Sequence, residues 1–183
     1  NALFALMCFH TARLETKTDE NGRIIELKSQ NRRRWYAPLI LMGNNAMNRA
    51  VHSGVYSTYH YEAAIASEHL ISKSFEATDW DRILMWYERL LAIQPSVFTR
   101  LNIATVQIQR KNYAEAESIL LKIDPSDLQQ RAYLYYGARA ELYSATKKDK
   151  EALASLEAAI NLVSNEAEKE YLLSKKEALT RHT

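Results

Sequence analysis

The sequence predicts an all-α protein, a right-handed solenoid of helical hairpins with about nine helices. The first reason is composition: the 183 residues include only four glycines and three prolines, and no long run alternates in the way a strand does. The second reason is an internal repeat, because Ile83, Ala116 and Ala152 occupy the same position in three similar apolar segments. The third is that charged and apolar residues alternate with a helical period along most of the chain.

The repeated segments lie 33 and 36 residues apart. A period near 34 residues built from paired helices is typical of tetratricopeptide-like (TPR-like) repeats. Such hairpins bury their apolar faces only by stacking on one another. Stacked hairpins usually bind other proteins and seldom catalyse reactions, so the repeat favours an interaction protein.

The N-terminal part is expected to contain two helices joined by an ordered loop. The first covers about 2–16, and Asn21-Gly22 then form a turn because both residues tolerate positive φ. The second begins near Ala37, since Pro38 fits only the first turn of a helix. The residues expected on one face of the first helix are Leu3, Leu6, Met7, His10 and Leu14.

The remaining helices follow from the apolar period and from capping signals. Thr78 and Asp81 resemble a capping box that opens the fourth helix, and Asn165 with Glu168 opens the last one, which ends near Arg181. This last helix is charged, as the end of a solenoid requires. The others are expected at about 58–73, 96–110, 113–122, 127–146 and 149–163.

We divide the chain into an N-terminal helical part with the Asn-Gly-Arg loop, residues 1–56, and TPR-like repeats with a capping helix, residues 57–183. The two parts are expected to form one continuous domain, and the isolated chain is expected to be monomeric. The chain begins without Met inside a helical pattern, so we expect a piece excised from a longer protein.

Composition also restricts the function. A net charge of +2 is low for a domain that would hold duplex DNA by itself. The single cysteine, Cys8, permits no internal disulfide and suits the reducing cytoplasm. No apolar run reaches the roughly 18 residues of a membrane span.

No motif predicts catalysis, a metal or a cofactor. The sequence lacks a G-x-S-x-G motif, a P-loop and a nucleotide-binding glycine fingerprint. Cys8 and His10 are two residues apart and therefore point to different helix faces. The five histidines are too scattered for a metal site; they are His10, His52, His60, His69 and His182.

Three consecutive arginines, Arg32 to Arg34, precede the second helix. Positive charge is unfavourable at a helix N-terminus, so an acidic group is expected to face them. That group is either internal, from Asp19, Glu20 or Glu26, or external, from a partner protein or a phosphate backbone.

A second candidate region is the tyrosine-rich segment 133–143. Aromatic residues at helical spacing usually pack in the core or between repeats, and Arg139 and Glu141 could instead line a concave groove. We expect His69 and Trp80 to pack between repeats. The predicted structural or groove residues are His69, Trp80, Arg100, Asn102, Tyr136, Arg139 and Glu141.

The segment Glu20–Trp35 (ENGRIIELKSQNRRRW) resembles the signature of one group of bacterial extracytoplasmic-function (ECF) sigma factors, which carry a C-terminal TPR-like extension. That extension reads D-G-R, then apolar residues, then a D-Q-D-R-x-R-W-like stretch. Asn21 and Asn31 replace two of its aspartates, and Pro38 is unusual. Further segments similar to the family lie at Leu6–Arg13, Tyr61–His69, Thr78–Trp80, Arg100–Ala104, Ala138–Leu142 and Asn165–Glu168, so the resemblance spans essentially the whole chain.

The resemblance implies a non-catalytic C-terminal regulatory domain of an ECF-type sigma factor that acts in transcription initiation. Its expected partners are the upstream sigma domains of the same polypeptide and bacterial RNA polymerase, with DNA met only through those domains. Two alternatives stay open: a free-standing TPR-like scaffold that binds a peptide, and a helical enzyme with a small-molecule site. The residues implied in protein contact are Asn21, Gly22, Arg23, Gln30, Arg32, Arg34 and Trp35.

Overall fold

The computed structural model describes residues 1–181, and these residues form nine α-helices and four short 3₁₀ helices without a strand. The all-α prediction is therefore confirmed. His182 and Thr183, which end the predicted repeat region, lie outside the described residues. The helices are α1 (Ala2–Thr11), α2 (Ala37–Val51), α3 (Thr58–Ile71), α4 (Trp80–Ile93), α5 (Val97–Gln109), α6 (Tyr113–Leu121), α7 (Ala132–Ala145), α8 (Asp149–Leu162) and α9 (Glu166–Thr180).

The chain divides into two compact units, Asn1–Pro95 and Ser96–Thr183. The first contains α1 to α4 and the second contains α5 to α9. The subdivision of the sequence into residues 1–56 and 57–183 stays a prediction. No helix within residues 1–181 has the length and hydropathy needed to cross a membrane.

In the first unit, α1 packs on both α2 and α3, and α3 packs on α4. The contact between α1 and α2 is close because Phe9 lies directly over Gly43. A Cβ built at Gly43 would overlap the Phe9 ring, with Cδ1 only 2.7 Å away. The absence of a side chain at Gly43 therefore makes room for the largest residue of this core. The buried core residues here are Ala5, Phe9, Ala46, Ala63 and Ala66.

The predicted end of the first helix was wrong, and the apolar face predicted from periodicity is not the one that faces the core. The helix ends at Thr11, and a 3₁₀ helix, Leu14–Thr16, follows it. Its small residues face the core because they allow α2 and α3 to approach closely. Leu3, Met7 and Leu14 are exposed instead. The buried residues are Ala2, Ala5, Cys8, Phe9 and Ala12.

In the second unit, α5 pairs with α6, α7 with α8, and α8 with α9. One apolar cluster joins α5, α6 and α7, and another joins α7, α8 and α9. Tyr136 packs against both clusters and so connects them. The repeated position predicted from the sequence is fully buried in all three copies, at Ile83, Ala116 and Ala152.

The turns within two helical pairs have the same geometry. Lys111 after α5 and Lys147 after α7 have φ values of 61° and 58°. In each turn the next residue donates its backbone N–H five residues back, from Asn112 to Gln107 at 2.9 Å and from Lys148 to Tyr143 at 2.8 Å. This is the Schellman arrangement that ends a helix, so the sequence echo corresponds to a repeated local structure.

Most predicted helix starts were confirmed, among them those near 37, 58, 113 and 149, whereas the starts of α4 and α7 differ. The Asn165 side chain accepts from the Glu168 backbone N–H at 3.0 Å, as predicted. The N-cap of α4 is Asp79, whose side chain accepts from the Arg82 backbone N–H. The Thr78 hydroxyl instead donates to the Ser74 carbonyl. Helix α7 begins at Ala132 because the preceding 3₁₀ segment, Pro125–Arg131, contains Gln129 at φ 51°.

Candidate protein-interaction site

The Asn21-Gly22-Arg23 loop is an ordered hairpin turn organised by Asp19. The Asp19 carboxylate accepts from the backbone N–H groups of Asn21 and Arg23, each at 2.9 Å, and from Arg23 Nε at 2.9 Å. An isolated antiparallel bridge between Thr18 and Ile24 closes the turn. Sequence analysis considered Asp19 only as a partner for the arginine cluster. The signal that could have identified its role is an aspartate three residues before a turn glycine.

The hydrogen bonds also keep Asp19 charged. The backbone N–H of Arg23 is the largest influence and lowers the pKa of this carboxyl; the N–H of Asn21 and the Arg23 guanidinium act in the same direction. Arg23 is itself mostly exposed. The turn therefore presents this arginine toward solvent from a fixed backbone.

Gly22 has a φ of 78°, as predicted from the turn pair. Nothing lies within 4 Å of a Cβ built there, so a substitution is disfavoured by backbone conformation and not by crowding. We expect Gly22→Val to destabilise the first unit by about 1–2 kcal/mol, measured as a lower midpoint of urea unfolding. Gly22→Asn is the control, because Asn tolerates positive φ and should cost clearly less. Equal stability of the valine variant and the unmodified protein would contradict this account.

Trp35 anchors the segment that follows the turn. The residue is buried, and its indole Nε1 donates to Thr16 Oγ1 at 3.0 Å. The guanidinium groups of Arg32 and Arg13 lie over the ring, at 4.6 and 5.4 Å from its centroid. These are favourable cation–π distances, so Trp35 holds two arginines in place and is not available to a partner.

Gln30 and Arg32 complete this internal network. Gln30 Oε1 accepts from Arg13 Nη2 at 3.1 Å, and Gln30 Nε2 donates to the Ile25 carbonyl at 3.0 Å. Arg32 Nη1 donates to the backbone carbonyls of His69 and Ser72, which fastens the loop to the end of α3. The structure gives Gln30, Arg32 and Trp35 internal partners, and contact of these residues with a partner protein stays a prediction.

Two of the three acidic residues proposed as internal partners of Arg32 to Arg34 pair with other cations. Asp19 pairs with Arg23, and Glu26 pairs with Lys28 at 2.7 Å. Burial lowers the pKa of Arg32, and the nearby charge of Glu76 opposes that shift. The cation at Arg32 is thus stabilised by backbone carbonyls and an aromatic ring more than by the loop carboxylates.

Arg33 and Arg34 differ from Arg32 because both are exposed. All three arginines lie in a 3₁₀ helix, Arg32–Arg34. Its N-cap is Asn31, whose Oδ1 accepts from the Arg33 backbone N–H at 3.1 Å. Across the part of the chain that the structure describes, neither side chain has an ion pair. We refer to Arg23, Arg33 and Arg34 as the exposed arginine set. Asn21 and Gly22 are also exposed, beside Arg23.

His69 and Trp80 pack against each other, with ring centroids 5.5 Å apart in an edge-to-face arrangement. Phe75 also contacts Trp80, at 5.1 Å. Burial, followed by the charges of Arg13 and Arg32, lowers the pKa of His69 to about 4. The imidazole is therefore neutral at physiological pH and adds no further positive charge beside the two arginines.

The predicted groove residues of the second unit do not form one cluster. Arg100 and Asn102 are exposed on α5, and Tyr136 is half-buried between the two apolar clusters. Arg139 Nη2 donates to the Tyr143 hydroxyl at 2.9 Å. Glu141 Oε1 accepts from Gln109 Nε2 at 2.6 Å and so connects α7 to α5. A ligand-binding role for these residues stays a prediction.

Residues 1–181 contain no group of three or more His, Cys, Asp or Glu side chains placed to hold a metal ion. The features that stand out in the described structure are therefore a fixed backbone, a buried cation–π network and the exposed arginine set. These features define an all-α protein that carries exposed arginines on an internally bonded backbone.

Comparisons with known proteins give one match to the N-terminal part and one to nearly the whole chain. Residues 1–51 match a family described as a family of unknown function, DUF6596, and this stretch contains α1, the hairpin turn, the arginine set and α2. Over 171 residues the chain is 30% identical to the uncharacterized protein R00370 of Rhizobium meliloti (strain 1021). That alignment covers 93% of the chain but 40% of the relative, so the chain spans well under half the length of this curated relative. No solved structure gives a significant match.

Proposed function

We propose that the chain is the C-terminal regulatory and protein-interaction domain of an ECF-type sigma factor, which modulates transcription initiation in the bacterial cytoplasm. The observation that carries the proposal is the exposed arginine set, held on an internally bonded segment. This segment is also where the sequence most closely resembles the sigma-factor extension. It lies within residues 1–51, the stretch that matches a family model.

The internal network explains how such a surface could bind well. Gln30, Arg32 and Trp35 fix the backbone that carries Arg33 and Arg34, and Asp19 fixes Arg23. A preorganised surface loses less conformational entropy on binding than a flexible one. Exposed arginines also accelerate association with an acidic surface and select against basic ones.

The proposed partners are the sigma domains upstream in the same polypeptide and RNA polymerase. The greater length of the Rhizobium meliloti relative supports the idea that further domains accompany this one. The domain would act by binding one state of the sigma factor more tightly than another, because only such a difference shifts a conformational equilibrium. In this proposal the domain is monomeric, catalyses no reaction, needs no cofactor and meets DNA only through the sigma domains.

The proposal is tested by reversing charge at Arg33 and Arg34 in the full-length protein. We expect Arg33→Glu/Arg34→Glu to reduce transcription from a promoter that the unmodified protein serves by about tenfold or more, because like charges at an interface are repulsive. Both side chains are exposed and unpaired in the described structure, so the fold should persist, as circular dichroism would verify.

The control is Lys122→Glu, an exposed charge reversal at the end of α6 in the second unit. It should leave transcription unchanged. Full activity of the double variant, or an equal loss in the control, would contradict the proposed interface.

A further inference from the structure

The helix α1 carries an exposed apolar face opposite its buried one. Leu3, Phe4, Met7 and Leu14 are 44, 45, 58 and 60% exposed. Leu3 and Met7 are four residues apart and therefore lie on one side of α1, and Leu14 follows in the 3₁₀ helix after it. A helix that is apolar on both sides is ordinarily covered on both sides, and a contiguous exposed apolar patch is typical of an interaction surface.

A basic segment lies near the C-terminal end of α1. The Tyr36 backbone N–H donates to the Ala12 carbonyl at 2.9 Å, which brings the segment with Arg33 and Arg34 next to the end of α1. Residues 1–51 contain eight Lys and Arg against four Asp and Glu, whereas the whole chain has a net charge of only +2. The positive charge is thus concentrated in the part of the chain that contains this apolar face. Two of the four acids, Asp19 and Glu26, are engaged in ion pairs within their own loop.

We propose that this face of α1, which we call the α1 face and define as Leu3, Phe4, Met7 and Leu14, docks an acidic amphipathic helix of a partner segment. Apolar anchors at helical spacing on the partner would fit between the exposed side chains, and its acidic residues would lie against Arg33 and Arg34. Charge complementarity selects this occupant. A second copy would bring another positively charged segment against the first, which is unfavourable.

An anionic membrane also combines apolar and acidic groups, but the geometry favours a helix. The α1 face is only one short helix long, about 18 Å at 1.5 Å per residue. Helix α1 is also fixed by Phe9 and its alanines to α2 and α3, so it is not free to insert. The inference does not depend on the partner being a sigma domain.

The test uses two synthetic peptides of about 15 residues, long enough to cover the α1 face. Both carry the same leucine and alanine face, and their polar face is glutamate in one and lysine in the other. Binding of each labelled peptide to the chain is measured by fluorescence polarisation. We expect the glutamate peptide to bind about tenfold more tightly than the lysine peptide, and the difference to shrink as salt is raised.

Two variants locate the binding site, with matched controls in the second unit. Met7→Glu and Arg34→Glu should each weaken binding of the glutamate peptide by about tenfold, by placing a like charge at the interface. Leu121→Glu and Lys122→Glu should not, although Leu121 is 76% exposed. Circular dichroism checks that every variant is folded.

Three results would overturn the inference: no binding of the glutamate peptide, equal binding of both peptides, or binding that Met7→Glu leaves unchanged. Dimerisation of the chain that Met7→Glu abolishes would assign the α1 face to a second copy. Binding to phosphatidylserine-containing vesicles, with the same sensitivity and no peptide binding, would assign it to a membrane. None of these results decides the proposed function, because the transcription test uses Arg33 and Arg34 in the full-length protein and not Met7.

Discussion

Replacing Gly43 by alanine should destabilise the first unit by about 1–3 kcal/mol, the usual cost of forcing an extra group into a packed core. The new Cβ would overlap the Phe9 ring, whose Cδ1 is 2.7 Å from the position it would occupy. Phe9 is 1% exposed and enclosed by α1, α2 and α3, so its ring has little room to move aside. Helix propensity alone would instead predict that Gly43→Ala stabilises the first unit, because alanine is favoured over glycine inside a helix.

The measurement is urea unfolding followed by circular dichroism, and the control is Gly137→Ala. Gly137 also lies inside a helix, α7, but a Cβ there meets nothing within 4 Å. The control should therefore be neutral or more stable by up to about 1 kcal/mol. Gly43→Ala combined with Phe9→Leu should lose less stability than the sum of the two single variants, because leucine leaves more room for the new Cβ. A double-mutant cycle measures this difference. If Gly43→Ala were as stable as Gly137→Ala, the close contact would not exist.

Removing the side chain of Arg82 should destabilise the first unit by about 2–4 kcal/mol, because it leaves a buried carboxylate without its cation. Glu68 on α3 is only 2% exposed, and its Oε1 lies 3.0 Å from Arg82 Nη2 on α4 and 3.4 Å from Trp86 Nε1. Its Oε2 has no hydrogen-bond partner among the described residues. The arginine is half-exposed, which places the expected cost below that of a fully buried pair.

Two further variants separate this effect from a general loss of side-chain contacts. Arg89→Ala removes another arginine of α4, one that stacks over Trp86 at 5.2 Å, and should cost about 1 kcal/mol or less. Glu68→Leu combined with Arg82→Met replaces the pair by apolar groups and should restore much of the stability. An Arg82→Ala variant that unfolds with the same midpoint as the unmodified protein would show that Glu68 needs no counter-charge.

Much of the fold could be predicted because the sequence is locally consistent. The buried position shared by Ile83, Ala116 and Ala152 identified the repeats. The start of α2 follows from Pro38, which lies in its first turn, and the positive φ of Gly22 follows from its turn pair. In each case one residue's conformational preference decides the local structure, so no knowledge of distant contacts is needed.

What the sequence did not predict depends on distant contacts. Helix α1 has apolar residues on both sides, so periodicity does not show which side faces α2; the small residues and Gly43 decide it. Trp35 and Gln30 belong to a motif that resembles an interaction signature, but their hydrogen bonds to Thr16 and Ile25 make them internal. Glu68 gave no signal in the sequence because only folding places Arg82 and Trp86 beside it.

The measurement that tests the central claim most directly is the affinity of the chain for the sigma domains that we propose lie upstream in its polypeptide. Calorimetric titration at near-physiological salt measures this affinity, and a parallel titration uses duplex DNA. The account predicts saturable binding to those domains that Arg33→Glu/Arg34→Glu abolishes and that weakens as salt is raised. It predicts no tight binding to DNA, since the chain has too little net charge for many phosphate contacts. A full-length polypeptide without sigma domains, or tight DNA binding with no affinity for those domains, would contradict it.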